Sequence, residues 1–227
     1  MTTPGGTRVR VVHERDVPDA DAWLDSVERK TLAGLHVPKR RADWLRGRWA
    51  AKLVVARWAG LGESPSDLAR VGIRPAPDGA PEAFVDDRPG PVLSISHSGL
   101  WAAAAVAPGG PLGCDLEEVR PLDAATVELF FTDAERAEMR REVSGAARDH
   151  RTILLWSAKE SALKALRAGL RRDTREVEAS AGPEGEAGWG SLRVRDDADG
   201  RVFEGWWRDW DGFVLTVVEG CAPSRRE

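Results

Sequence analysis

The run Ala-Pro-Gly-Gly-Pro at residues 107–111 can continue neither a helix nor a strand, because its prolines lack a backbone donor and its glycines favour turns. It divides the 227 residues into halves of similar size. Each half reads as the same kind of unit. In the first, RVRVV (8–12) reads as a strand and about Asp19 to Leu35 as a helix. A stronger helix runs from Lys39 to Trp58, where Leu45, Trp49 and Leu53 recur every fourth residue as an apolar stripe. The stretch Gly62 to Gly90, rich in Pro, Gly and Asp, is expected to be a surface connection. VLSIS (92–96) and WAAAAVA (101–107) then read as neighbouring strands. In the second half, LGCDLE begins a strand, Thr132 to Glu135 fits a capping box, and a long helix is expected over Arg148 to Ala168 with Gly169 as its cap. Asp211-Gly212 between two apolar runs predicts a hairpin. The reading is an α+β chain of two similar lobes, 1–109 and 110–227, with a cleft between them. Residue-by-residue identity between the halves is not apparent.

Apolar residues make up 42% of the chain, enough for a real core, and a net charge of −4 argues against a polynucleotide or an anionic membrane as partner. The N-terminal residues lack a signal-peptide core and no window has the length of a membrane span, so a cytoplasmic protein is expected. Cys114 and Cys221 have no metal-ligand spacing and are assigned no chemistry.

The charged residues concentrate the chemistry. Asp115 and Glu117 stand i, i+2 on a strand and therefore point to one face. Like charges set so close repel unless a cation lies between them, and hard carboxylate oxygens suit Mg²⁺. Trp156, Glu160 and Lys164 share one helix face at i, i+4 and i+8, although a Glu four residues before a Lys is also an ordinary helix-stabilising pair. Only five of the 33 basic residues are lysines, and two of them, Lys159 and Lys164, fall within KESALK. Ser96 and His97 offer a hydroxyl and an imidazole to an anion, or else they simply satisfy a turn. Arg41, Arg48 and Lys52 form a basic stripe on the helix carrying Gly47, where a close approach to the backbone is expected. Three acidic groups with a lysine compose a metal-assisted phosphoryl-transfer set.

These pieces resemble the Sfp-type 4′-phosphopantetheinyl transferases. The likeness rests on Ser96-His97-Ser98, on GCDLEEV (113–119) where the family has G-I-D-x-E, and on WSAKESALK (156–164) where it has W-x-x-K-E-A/S-x-x-K. Phe130, Phe131 and Glu135 match the intervening FF-x-x-x-E. The resemblance implies a pseudo-twofold monomer that binds coenzyme A between its lobes and transfers phosphopantetheine to a serine of apo acyl or peptidyl carrier proteins. It implies that Asp115, Glu117 and Glu160 hold Mg²⁺, or Mn²⁺, that Glu160 acts as base, and that Lys164 neutralises the departing phosphate. Ser96, His97, Lys159 and Lys164 would contact coenzyme A, with Asp115 beside its phosphates. The bottom-up candidates for the leaving bisphosphate are Arg41, Arg48 and Lys52. Ala80 stands where the family often has a basic residue, a role that Arg74 or Arg88 could take over. For Glu135 the capping role competes with a metal-site role. Arg136 and Arg140 are candidates to meet an acidic carrier-protein helix. Two other classes stay open: a metal-dependent phosphodiesterase or nuclease, and a non-catalytic module that binds coenzyme A or a carrier protein.

Overall fold

A computed structural model describes residues 1–168 and 172–220. The chain divides into two compact units, Met1–Gly109 and Gly110–Glu227. The first contains β1 (Arg8–His13), α1 (Ser26–Ala33), α2 (Pro38–Trp58), α3 (Pro65–Ala69), β2 (Val71–Pro75), β3 (Pro81–Val85), β4 (Arg88–Ser98) and β5 (Trp101–Ala107). The second contains β6 (Leu112–Glu118), α4 (Ala124–Phe130), α5 (Asp133–Met139), α6 (Gly145–Ala165), β7 (Val177–Glu184), β8 (Gly190–Asp196), β9 (Val202–Trp210) and β10 (Phe213–Glu219). Each unit has one antiparallel five-stranded sheet. The strand orders are β1-β5-β4-β3-β2 and β6-β10-β9-β8-β7, so the two sheets are connected identically. The fold class is α+β.

One long helix covers each sheet. α2 packs on β1, β4 and β5, and its Leu53 is buried while Leu45 and Trp49 line the same core, as their spacing predicts. Gly47 is explained by Ile95 of β4, whose side chain lies 3.3 Å from where a Cβ would stand. α6 packs on β6, β7 and β10, with Leu154, Leu155, Ala158 and Leu163 buried against the sheet.

Three expectations are corrected. The stretch Gly62 to Gly90 is not an unstructured connection but contains α3, β2, β3 and the start of β4. Its strands are short, with prolines at their ends. The β3–β4 turn uses Asp86 and Asp87 at φ 50° and 59° in place of an Asn-Gly or Asp-Gly signal. Arg70 holds Asp86 and Arg74 holds Asp87 in that left-handed backbone. Helix α1 begins only at Ser26, because Asp25 and Glu28 close a capping box there. Helix α6 ends at Ala165 with Leu166 as its cap; Gly169 lies outside the described residues. The Asp211-Gly212 hairpin forms as expected, with both residues at positive φ (48° and 80°) and Trp210 opposite Phe213.

The two units also share a sequence signature. Trp49-Ala-Ala-Lys52 on α2 and Trp156-Ser-Ala-Lys159 on α6 sit at the same place along helices of 21 residues each. Each lysine follows a capping-box glutamate at the same spacing, Glu28 to Lys52 and Glu135 to Lys159. Lys52 meets Glu28 at 2.6 Å and Lys159 meets Glu135 at 2.7 Å, and each glutamate also accepts a backbone N–H from the second strand of its unit, Ile73 or Ala179.

Candidate active site

Strand β6 rises through the buried residues Leu112 to Leu116 and emerges at Glu117. Its pleat turns Asp115 and Glu117 to the face covered by α6, as the i, i+2 spacing predicts. Gly113 makes the fit possible: a Cβ there would stand 1.8 Å from the backbone oxygen of Ser161. With the helix held that close, Ser157 Oγ donates to Asp115 Oδ2 at 2.8 Å, and Trp156 Nε1 donates to Glu117 Oε1 at 3.4 Å. Lys164 Nζ reaches Asp115 Oδ1 at 2.8 Å and the Cys114 carbonyl at 3.0 Å. Strand and helix thus join Asp115 to Lys164 and Glu117 to Trp156, and Glu160, one helical turn before Lys164, feels the charges of Asp115, Lys164 and Glu117.

The electrostatics follow from that assembly. Burial, then the charge of Asp115, with a further push from Glu117, drives the Glu160 carboxyl up to about 7, while Lys164 pulls the other way. Burial opposes the charge on Lys164 as well, but Asp115, Cys114 and Glu160 outweigh it and hold the ammonium above the usual lysine range. Glu160 Oε1 is buried with no hydrogen-bond partner among the described residues. Such an orphan acceptor beside two further carboxylates is the kind of position a hard divalent cation satisfies. Among the described residues no three His, Cys, Asp or Glu side chains form a ready metal cage. Mg²⁺ does not require one, since it keeps several waters and is commonly held by one or two carboxylates together with substrate phosphates. The donor set fits that ion.

Several residues expected to meet the ligand are engaged within the protein. Lys159 is fully buried, paired with Glu135 and donating to the Phe130 and Thr174 carbonyls. Lys52 is likewise fully buried, bound to Glu28 and to the Leu68 carbonyl at 3.0 Å, and also to the Val71 carbonyl. The basic stripe on α2 exists but descends into the core. Arg41 is exposed and donates to the Leu32 carbonyl. Arg48 is mostly buried over Trp44, 3.8 Å from Glu28, and Lys52 is inside. Burial lowers the pKa of both lysines despite their partners. The capping reading of Glu135 holds. It closes the α5 box with Thr132 and neutralises Lys159, whose ammonium also lies 5.2 Å above the Phe131 ring. Phe130 packs on Trp156 at 5.1 Å.

On β4, Ser96 is buried and His97 is exposed, as alternation along a strand requires. Burial opposes the charge of Asp43 on α2, but the hydrogen bond from Lys39, with His97 and Arg46, outweighs it and holds the carboxyl below its usual range. Arg74 is engaged with Asp87 and stacked on Phe84, whereas Arg88 is exposed. Arg136 is tied to Asp133 and to the carbonyls of Glu128 and Phe131; Arg140 is exposed. The residues missed from sequence are Ser157, Ser161 and Thr216. Two of them stood in plain view within WSAKES.

Comparison with known proteins bears on the same segment. The family model of the 4′-phosphopantetheinyl transferase superfamily matches residues 111–218. A holo-(acyl-carrier-protein) synthase of Streptococcus agalactiae is 34% identical over 95 residues, which are 41% of this chain and 80% of that protein. The chain belongs to the 4′-phosphopantetheinyl transferase superfamily. Over nearly its whole length it is also 29% identical to the 4′-phosphopantetheinyl transferase Svp of Streptomyces mobaraensis, covering 92% of this chain and 84% of that one. A crystal structure of a holo-(acyl-carrier-protein) synthase from Bacillus anthracis in complex with CoA (3′,5′-ADP) gives a TM-score of 0.39 at 24% identity, over 44% of this chain and 92% of that one. The superfamily match contains the acidic pair of β6, the whole of α6 and the β10 strand opposite.

Proposed function

We propose that this chain transfers the 4′-phosphopantetheine group of coenzyme A to a serine hydroxyl of an apo acyl or peptidyl carrier protein, releasing adenosine 3′,5′-bisphosphate. The observation that carries the reading is Glu160. It is a largely buried carboxyl with an unpartnered oxygen and a pKa of about 7, set among Asp115, Glu117 and Lys164. A serine hydroxyl is a poor nucleophile, and the phosphorus it must attack is shielded by anionic oxygens. In this reading Glu160 takes the serine proton as the new O–P bond forms. The P–O bond to the adenosine bisphosphate breaks in the same step, and Lys164 offsets the charge that develops on the departing phosphate. Mg²⁺ bound by Asp115, Glu117 and Glu160 would supply further neutralisation of the diphosphate. Mn²⁺ has the same ligand preference.

The extra phosphate of the bisphosphate calls for cations outside this cluster. Among the cations expected for it, Arg41, His97 and Arg48 retain exposed surface, whereas Lys52 and Lys159 are fully buried. Arg140 and Arg136 are the candidates for the carrier protein. No helix among the described residues is long and apolar enough to cross a membrane. The reaction is assigned to the reducing cytoplasm, where the buried free thiol of Cys114 stays reduced.

The test is mass spectrometry of apo carrier proteins incubated with the protein, coenzyme A and magnesium. A phosphopantetheine-sized gain on serine is expected. Bisphosphate released from coenzyme A without an acceptor would point to a hydrolase instead. Glu160→Gln is expected to abolish transfer while leaving most coenzyme A binding, and unchanged turnover in that variant removes the proposed base.

A further inference from the structure

Beneath Asp115 lies a set of hydroxyls that the reaction does not use. Ser157, Ser161 and Thr216 are all fully buried. Thr216 of β10 stands directly across the sheet from Asp115 of β6. Ser161 Oγ lies 2.7 Å from Thr216 Oγ1, Thr216 Oγ1 lies 2.8 Å from Ser157 Oγ, and Ser157 Oγ lies 2.8 Å from Asp115 Oδ2. Each hydroxyl has one proton to donate, and a carboxylate can only accept. The proton of Ser157 therefore goes to Asp115. Thr216 can donate to Ser157, at its hydroxyl or at its carbonyl 2.9 Å away, or to the Ser161 hydroxyl, and Ser161 can donate to Thr216, at its hydroxyl or at its carbonyl 3.3 Å away. When Ser161 donates to the Thr216 hydroxyl and Thr216 to the Ser157 hydroxyl, all three donors point one way, toward the acid. Chains of this kind polarise one another in a dry interior and strengthen the last, charge-assisted bond.

A simple gluing role for these groups is countered by the first unit. It builds the same sheet and the same Trp-x-Ala-Lys helix, yet it has Ala50 where α6 has Ser157 and Val54 where α6 has Ser161. Its strand β5, which pairs with β1 as β10 pairs with β6, reads WAAAAVA and carries no hydroxyl. The frame folds with apolar residues at these places. Leu53, not an acid, stands where α6 has Glu160. Hydroxyls and acids occur together, in one unit of the two.

We infer that Ser161, Thr216 and Ser157 form a directed hydroxyl chain that fixes the Asp115 carboxylate, making Ser157 and Thr216 positioning residues for the divalent cation. Lys164 holds the other oxygen, Oδ1, so the carboxylate is fixed from both sides. This inference rests on the cation reading given above, and the experiment separates the two.

Mn²⁺ binding to the full-length protein with coenzyme A present is measured by paramagnetic resonance, and folding is checked by thermal melts. Four variants are compared: Ser157→Ala, Thr216→Val, Thr216→Ser and Ser161→Ala. Removing groups that orient a metal ligand typically weakens binding about tenfold to a hundredfold, and that loss is expected for Ser157→Ala and Thr216→Val. Thr216→Ser keeps the relay and loses only a methyl, so it is expected to stay close to wild type. Ser161→Ala removes the far end of the chain and should show a smaller loss than Ser157→Ala. In turnover, the half-saturating Mg²⁺ concentration should rise in the same order, with kcat at saturating metal largely restored. Wild-type Mn²⁺ affinity in folded Ser157→Ala and Thr216→Val overturns the inference. So does a Thr216→Ser protein as impaired as Thr216→Val, since that pattern reports packing. Failure of the wild-type protein to bind Mn²⁺ overturns the cation reading, and this inference with it.

Discussion

Glu160 binds a proton more readily in the folded chain than in the unfolded one, because burial and then the charges of Asp115 and Glu117 oppose its ionised form. The sign of the pH effect follows. Its contribution to stability is complete below the ordinary value of 4.5 and is lost as pH rises through about 7. In metal-free protein, Glu160→Gln is therefore expected to melt higher than wild type at pH 8 and to narrow that advantage by pH 5. Calorimetric melts with a chelator present test this; parallel curves for the two proteins would mean that the carboxyl is not strained. A bound cation stabilises the ionised form, so magnesium should erase the difference. Gly113 is the other residue with a sharp consequence. A single added methyl would meet the Ser161 backbone, which has no rotamer by which to move aside, so Gly113→Ala must lift α6 from the sheet. The expected cost is about 3 kcal/mol or more by urea denaturation, with transfer lost because Ser157, Glu160 and Lys164 all ride on that helix.

At the scale of elements, the long helices α2 and α6 are each locked to a cap by a buried ion pair. Lys52 and Glu28 join α2, α1 and β2, and Lys159 and Glu135 join α6, α5 and β7. Removing one partner leaves a buried charge uncompensated, which typically costs about 3–5 kcal/mol. Lys52→Met and Lys159→Met are both expected to destabilise by that order in denaturant titrations. Either protein, where still folded, should bind coenzyme A nearly as well as wild type in calorimetry. A stable Lys159→Met protein with greatly weakened coenzyme A binding would return Lys159 to the ligand site. Sequence patterning showed the capping box at Thr132 to Glu135 and the apolar stripe of α2, because both are written in local spacing. It read Lys52 as part of a basic stripe beside the apolar one and gave Lys159 no face, whereas both are fully buried. It could not show that a glutamate from another element waits opposite each of them, and that contact is what turns a surface cation into a buried strut.

Across the whole molecule, each unit has its own apolar core, one around Leu24, Val55, Leu68 and Ile73, the other around Leu154, Leu163, Val194 and Phe203. A fragment from Gly110 to Gly220 is therefore expected to fold by itself, with a cooperative thermal transition followed by circular dichroism. A gradual, non-cooperative melt would show that its core depends on the first unit. The common plan of the units was legible only as a similar order of strands and helices; the shared Trp-x-Ala-Lys signature became readable once both helices were aligned by their buried lysines. The β3–β4 hairpin was missed because Asp86 and Asp87 carry no conventional turn signal, and their left-handed backbone is held by Arg70 and Arg74 from outside the turn. What the sequence alone determined is what backbone period fixes: Asp115 and Glu117 share a strand face, and Trp156, Glu160 and Lys164 share a helix face. Which charges meet water, which are neutralised inside, and which hydroxyls line up behind Asp115 was decided only by the tertiary structure. Desolvation and pairing depend on what packs opposite a side chain, and chain spacing does not encode that.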